Sequence, residues 1–287
     1  MNAMAYFLET LLNPDFPFLR NALIAGLLSS VLFGTIGAVV TVRRIASLAG
    51  AVSHAVLGGI GLALYLSATG AVPGLPPIAG ALVFAVLAAL VIGLVSLKAK
   101  QREDTAINAI WAIGMSLGVL FMARTPGYTD PSTWLFGNIL LISNGSLILL
   151  ASLDLIVVLL AWRFYAQIEA ASFDEEFARV RGVRVDTVFL ALLAVTAVAI
   201  VLLQTFVGIV MVIAMLCLPS GCSGFFSRSL RAMMLLSCVF SAAFSVCGVA
   251  AGWAFDLPVG AMTVIIAGAV FLSISVLRAA VKRRWRH

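Results

Sequence analysis

Charge is what this 287-residue sequence lacks most, with only 10% of its residues Asp, Glu, Lys or Arg. A soluble domain carries about 25%. So few charges cannot cover a water-facing surface, and the mean hydropathy of +1.15 agrees. Histidine is scarcer still, with His54 and the terminal His287 its two copies. The four cysteines, Cys217, Cys222, Cys238 and Cys247, form no C-x-x-C pair. That argues against a disulfide framework or a zinc knuckle, and for small buried hydrophobes. G-x-x-x-x-G-K-[ST] is absent, so the chain hydrolyses no nucleotide through a P-loop of its own. H-E-x-x-H and paired intramembrane aspartates are missing too. No catalytic constellation is left, and the chain reads as a non-enzyme.

What is there is apolar sequence in runs of about 20 residues, each long enough to cross a bilayer as a helix. The runs are continuous rather than alternating, which excludes a β-barrel. The fold class is therefore an all-α polytopic membrane bundle within one transmembrane domain, 1–287. Nine spans are predicted, with a range of eight to ten: 18–42, 50–68, 77–97, 105–123, 147–165, 187–204, 205–219, 232–250 and 259–278. Only Gln204 and Thr205 separate the sixth from the seventh. The first 17 residues hold Glu9, Asp15 and two prolines without a basic start, unlike a cleavable signal peptide.

Lysine and arginine give the orientation. Alternating the loops puts Arg43, Arg44, Lys98, Lys100, Arg102, Arg163, Arg179, Arg181, Arg184, Arg228, Arg231, Arg278 and the basic tail 279–287 on one side. Arg20 and Arg124 alone fall on the other. This bias predicts an outside N-terminus and a cytoplasmic C-terminus. The formal charge of +6 thus faces the membrane boundary, and no aromatic-interleaved basic module points to nucleic acid. The outer loops carry breakers instead, A-T-G-A-V-P-G-L-P-P and R-T-P-G-Y-T-D-P-S-T-W, the second leading into a piece too short to span, interfacial or re-entrant, L-F-G-N-I-L-L-I-S.

The longest cytoplasmic loop, 166–186, has a helix signature: Asp174, Glu175 and Glu176 early, Arg179 and Arg181 late, Gly182 as the stop. Phe173 and Phe177 are four apart, so they share a face. Such a helix suits docking to a soluble partner, or serves as a solvated connector.

Two ionisable residues fall inside spans, His54 and Asp154, and both are candidate sites for that reason. Neutral imidazole ligates zinc and other first-row divalent ions. Ser53 and the nearby glycines offer oxygen ligands and room, while the bland alternative is an interhelical hydrogen bond. A-S-L-A-G, ahead of His54, reads as a broken or unwound entry to its helix. Asp154 is open to three readings: a second metal ligand, a proton-linked group or a helix-packing residue. Met211 and Met215 are four apart on one face and read as packing or as soft ligands. Pro219 is expected to break or end their helix.

Five segments in order resemble one family, the permease subunits of ABC transporters that import zinc, manganese or iron(II). They are V-V-T-V-R-R-I-A-S-L-A-G-A-V-S-H-A-V-L-G-G, R-E-D-T-A-I-N-A-I-W-A-I-G-M-S-L-G-V-L, W-L-F-G-N-I-L, F-D-E-E-F-A-R-V-R-G-V and V-G-I-V-M-V-I-A-M-L-C-L-P-S. The resemblance runs from about residue 20 to the C-terminus. It implies a bacterial inner-membrane permease with a transported divalent metal ion and no tightly bound cofactor. Its implied partners are a cytoplasmic ATPase dimer, an extracytoplasmic metal-binding protein, a second permease copy and membrane lipid. Phe173, Asp174, Glu175, Glu176, Phe177 and Gly182 look like the coupling helix that seats in the ATPase, and His54 looks like the metal-handling residue. The family pattern G-D-x-x-x-H puts an aspartate one turn before that histidine. Here Ala49 and Gly50 stand in place of its glycine and aspartate. The remaining carboxylates, Asp154 and the outer-loop Asp130 and Asp256, have no placement from sequence. Two rival readings stay open: a permease for a different cargo, and an ATP-independent carrier using Asp154 for protons.

Overall fold

The computed structural model describes residues 10–11, 17–98, 103–127, 134–135, 137, 139 and 142–284. Asp130, Lys100, Arg102, the end of the basic tail and four residues of the L-F-G-N-I-L-L-I-S piece lie outside them. Among the described residues every long element is a helix: α1 Pro17–Val42, α2 Ala46–Ala68, α3 Pro77–Lys98, α4 Glu103–Arg124, α5 Asn144–Arg163, α6 Tyr165–Phe173, α7 Glu175–Val180, α8 Val185–Val207, α9 Ile209–Gly224, α10 Leu230–Phe255 and α11 Val259–Arg284. Eight of these are long and apolar enough to cross a membrane. The ninth apolar helix, α9, has 16 residues. At 1.5 Å per residue it reaches about 24 Å, short of the roughly 30 Å hydrocarbon core.

Three boundaries differ from the sequence expectation. The break between α8 and α9 falls at Gly208, with φ of 84°, rather than at Gln204–Thr205. A glycine that adopts the left-handed region ends the helix, whereas a polar pair inside a bundle does not. Beyond the break α9 continues through Pro219 to Gly224. The Ser220 hydroxyl donates back to the carbonyls of Leu216 and Cys217 at 2.9 and 3.0 Å. And α2 starts at Ala46, not near residue 50, so A-S-L-A-G is helical rather than unwound. Its turn from α1 is closed in three residues because Arg44 takes a left-handed φ of 58°.

The chain divides into two compact units. One comprises residues 42–137 and 156–213. At its centre is α2, the most enclosed span, with 72% of its apolar window buried. The reason is backbone-to-backbone contact. A Cβ added at Gly58 would stand 2.9 Å from the Gly114 carbonyl of α4, and one at Gly61 2.6 Å from that of Gly118. On the α3 side Gly59 and Gly80 press on each other's carbonyls with no room for a side chain. Small residues at helical spacing allow this approach.

The other unit comprises residues 1–41, 138–155 and 214–287. Gly26 and Gly34 of α1 lie against Ser245 and Cys238 of α10. Hydroxyl pairs join its helices, Thr41 to Ser220 at 2.6 Å and Ser223 to Ser237 at 2.7 Å. Its last helix, α11, buries only 6% of its apolar window.

Gly59→Val should destabilise the protein by about 1–3 kcal/mol, because the new methyls must displace backbone rather than a side chain. Gly50→Ala in the same helix meets nothing within 4 Å, so it should be neutral or stabilising by up to about 1 kcal/mol. Thermal unfolding of the detergent-solubilised chain compares the two.

Candidate metal path and coupling segment

His54 is the ninth residue of α2, which places it about 12 Å along the helix from Ala46. Its imidazole is half-buried and stacked on the Trp111 indole of α4, with ring centroids 4.9 Å apart and planes 21° from parallel. Nδ1 is buried and has no hydrogen-bond partner. The ring is therefore held by a flat neighbour but not tied through that nitrogen, which leaves a lone pair or a proton for something else. Ser53 does not share that freedom: it is fully buried and its hydroxyl donates to the Ala49 carbonyl at 2.9 Å. One turn before the imidazole, Gly50 faces open space. Backbone geometry alone would accept a longer side chain there.

Beside Trp111 an open depression of 870 Å³ follows one face of α4, from Asn108 through Met115 and Ser116 to Ala123. Among the described residues, no three His, Cys, Asp or Glu side chains gather into a metal-holding group. His54 contributes a single ligand, not a closed cage.

Asp154 belongs to the other unit. It sits on the narrow buried side of α5 with Leu150 and Leu153, 7% exposed, and both carboxylate oxygens lack a partner. Asp256 takes a left-handed φ of 54° and caps the end of α10. Met211 and Met215 are 1% and 0% exposed, both fully buried.

The 166–186 segment forms two helices, not one. Asp174 is extended between them (φ −149°, ψ 99°), and its Oδ1 accepts from the Phe177 N–H at 2.9 Å as the N-cap of α7. Phe173 ends α6 and Phe177 lies in α7, so the shared face expected from their spacing does not follow from a common helix. Both rings are nevertheless exposed, 65% and 56%, and Val180 is 86% exposed. Gly182, at φ of 83°, closes α7 by donating to the Arg179 carbonyl, while Val183 donates to that of Ala178. Ala171, Ala178 and Val185 form a small buried core that fastens both helices to the start of α8.

Two residues here had no sequence signal for their roles. Trp111 looked like one more apolar residue of a span. Arg43 looked like one basic loop residue among many, yet its side chain is 6% exposed and pairs with Glu175 at 2.7 Å. Its guanidinium carbon lies 5.3 Å over the Phe189 ring. Burial pushes the Arg43 pKa down and the Glu175 carboxylate pulls it back up.

Residues 15–278 match the ABC 3 transport family. The chain belongs to that family. It is thus a multi-pass ABC-transporter permease of a bacterial inner membrane. It is 35% identical over 259 residues to an uncharacterized membrane protein of Synechocystis sp., covering 90% of each chain. It is 31% identical over 274 residues to the manganese transport system membrane protein MntC of Halalkalibacterium halodurans, covering 94% of this chain and 90% of that one. Among solved structures, PsaBC from Streptococcus pneumoniae in complex with Fab superposes with a TM-score of 0.82 at 31% identity, over 93% and 94% of the two chains.

Asp174→Ala should cost about 1 kcal/mol at the N-terminus of α7. Hydrogen exchange should read this as faster exchange confined to the 175–182 amides, with the spans unchanged.

Proposed function

We propose that this permease imports a divalent metal ion, manganese(II) before zinc, powered by ATP hydrolysis in a separate cytoplasmic ATPase pair. The exposed Phe173, Phe177 and Val180 on a capped, anchored helix pair carry the reading. Three exposed large apolar side chains on a short segment rich in charge suit a protein cleft. Manganese is preferred because relatives such as MntC bear that cargo in their names. In this reading the N-terminus is outside and the 166–186 loop cytoplasmic. Two copies of the chain face each other across the path, and an extracytoplasmic binding protein delivers the ion.

The path runs past His54. A first-row divalent ion takes imidazole nitrogen readily, and the unpartnered Nδ1 supplies one. ATP-driven closure of the ATPase pair pushes the segment 173–182, and the spans tilt between outward and inward access. The ion crosses as cargo, passed from the delivering protein to His54 and released inward.

A proton-linked reading of Asp154 has one observation behind it, the two buried carboxylate oxygens without partners. Uptake that follows a pH gradient in vesicles lacking the ATPase would favour it.

In vesicles containing the permease and its ATPase, His54→Ala should lower manganese(II) uptake at least tenfold while ATP hydrolysis persists. Uptake equal to wild type would remove His54 from the path. Gly50→Asp should tighten manganese(II) binding about tenfold, or about 1.4 kcal/mol, by adding a carboxylate one turn from the imidazole on the same helix face. Titration calorimetry checks it. Phe177→Asp or a Glu176 substitution should uncouple hydrolysis from uptake, with membrane insertion intact.

A further inference from the structure

We propose that Arg43 is a positioning residue that ties the coupling segment to the helix bearing His54, an inference resting on the permease reading above. Three elements meet at this one guanidinium. The residue itself stands in the three-residue turn that opens α2. One terminal nitrogen holds Glu175, the first residue of α7. Its flat face covers Phe189, in the first turns of α8.

The physical chemistry makes this a linkage rather than a decoration. The Arg43 side chain is 6% exposed while that of Glu175 is 48% exposed. Pulling the carboxylate away would strand a buried charge, which costs far more than breaking a surface pair. A push on α7 therefore carries the Arg43 turn with it. In that turn Arg44 holds a left-handed φ of 58°, a conformation that persists only where its surroundings enforce it. Beyond it α2 is locked backbone to backbone against α3 and α4 at Gly58, Gly59 and Gly61, so the motion reaches His54 and Trp111 together. The other terminal nitrogen, Nη1, is buried without a partner. The present one-armed pair thus has an unused donor, and a forked, two-armed geometry is open to it when Glu175 shifts.

The test uses the full permease–ATPase complex in proteoliposomes with manganese(II) chloride outside, scoring ions taken up per ATP hydrolysed. Arg43→Met and Glu175→Gln should each lower that ratio at least fivefold while hydrolysis continues. The double variant should be no worse than either single one. Arg43→Glu combined with Glu175→Arg should recover more than half of the ratio lost by Arg43→Glu alone. Arg43→Lys should fall between wild type and Arg43→Met, since it keeps the charge but not the planar fork. Glu175→Gln, at a half-exposed position, keeps the test alive if the Arg43 variants fail to insert. A wild-type ratio in Glu175→Gln, while Phe177→Asp is uncoupled in the same assay, overturns the linkage and leaves the permease reading standing. A wild-type ratio in Phe177→Asp overturns the coupling reading itself.

Discussion

Close backbone contact around α2 is the constraint on which the rest of its unit depends. Inside a bilayer, lipid tails are as apolar as leucine, so helices gain little from hiding leucines from lipid. They gain instead from van der Waals contact at short range, and that requires the absence of side chains. Gly58 and Gly61 meet α4 carbonyls, and Gly59 and Gly80 remove the side chains between α2 and α3. The approach of α4 is also what brings Trp111 onto the imidazole of His54. The stack is a product of the glycines as much as of the two rings.

Polar atoms follow the same economy of space. Where a hydroxyl or amide is buried, the structure gives it a helical carbonyl or another hydroxyl in many cases, as with Ser53, Ser220 and Thr263. Among the described residues the exceptions fall on eight: Ser29, Arg43, His54, Asp154, Gln204, Ser241, Ser245 and Trp253. A buried polar atom without a partner is costly. Two of these eight, Arg43 and His54, stand at the two ends of the route from the coupling segment to the imidazole.

Much of the architecture was legible in the sequence because hydropathy is a long-range average. Span positions come out within a few residues for α1, α3 and α4. Boundaries were less legible where a single residue's backbone conformation decides them. Gly208 sets the end of α8, and nothing in its apolar surroundings announces a left-handed φ. The polar Gln204–Thr205 pair was the more visible signal and the wrong one. Asp174 divides α6 from α7 by accepting a hydrogen bond as a cap, whereas its acidic character reads as part of a helix N-terminus. His54 was visible as a lone imidazole in an apolar span. Trp111 and Arg43 were not, because their roles come from contacts between elements far apart in sequence, 57 and 132 residues away respectively.

The empty space beside Gly50 has a kinetic meaning for the proposed path. A divalent ion resting at His54 would meet a neutral ring and no carboxylate on the adjacent turn. Its dwell time there would be short, since little electrostatic attraction opposes departure. A station with a short dwell time discriminates poorly between ions of similar size and charge. In such an importer, selection belongs to the step that loads the path rather than to the membrane interior, and throughput is favoured over retention.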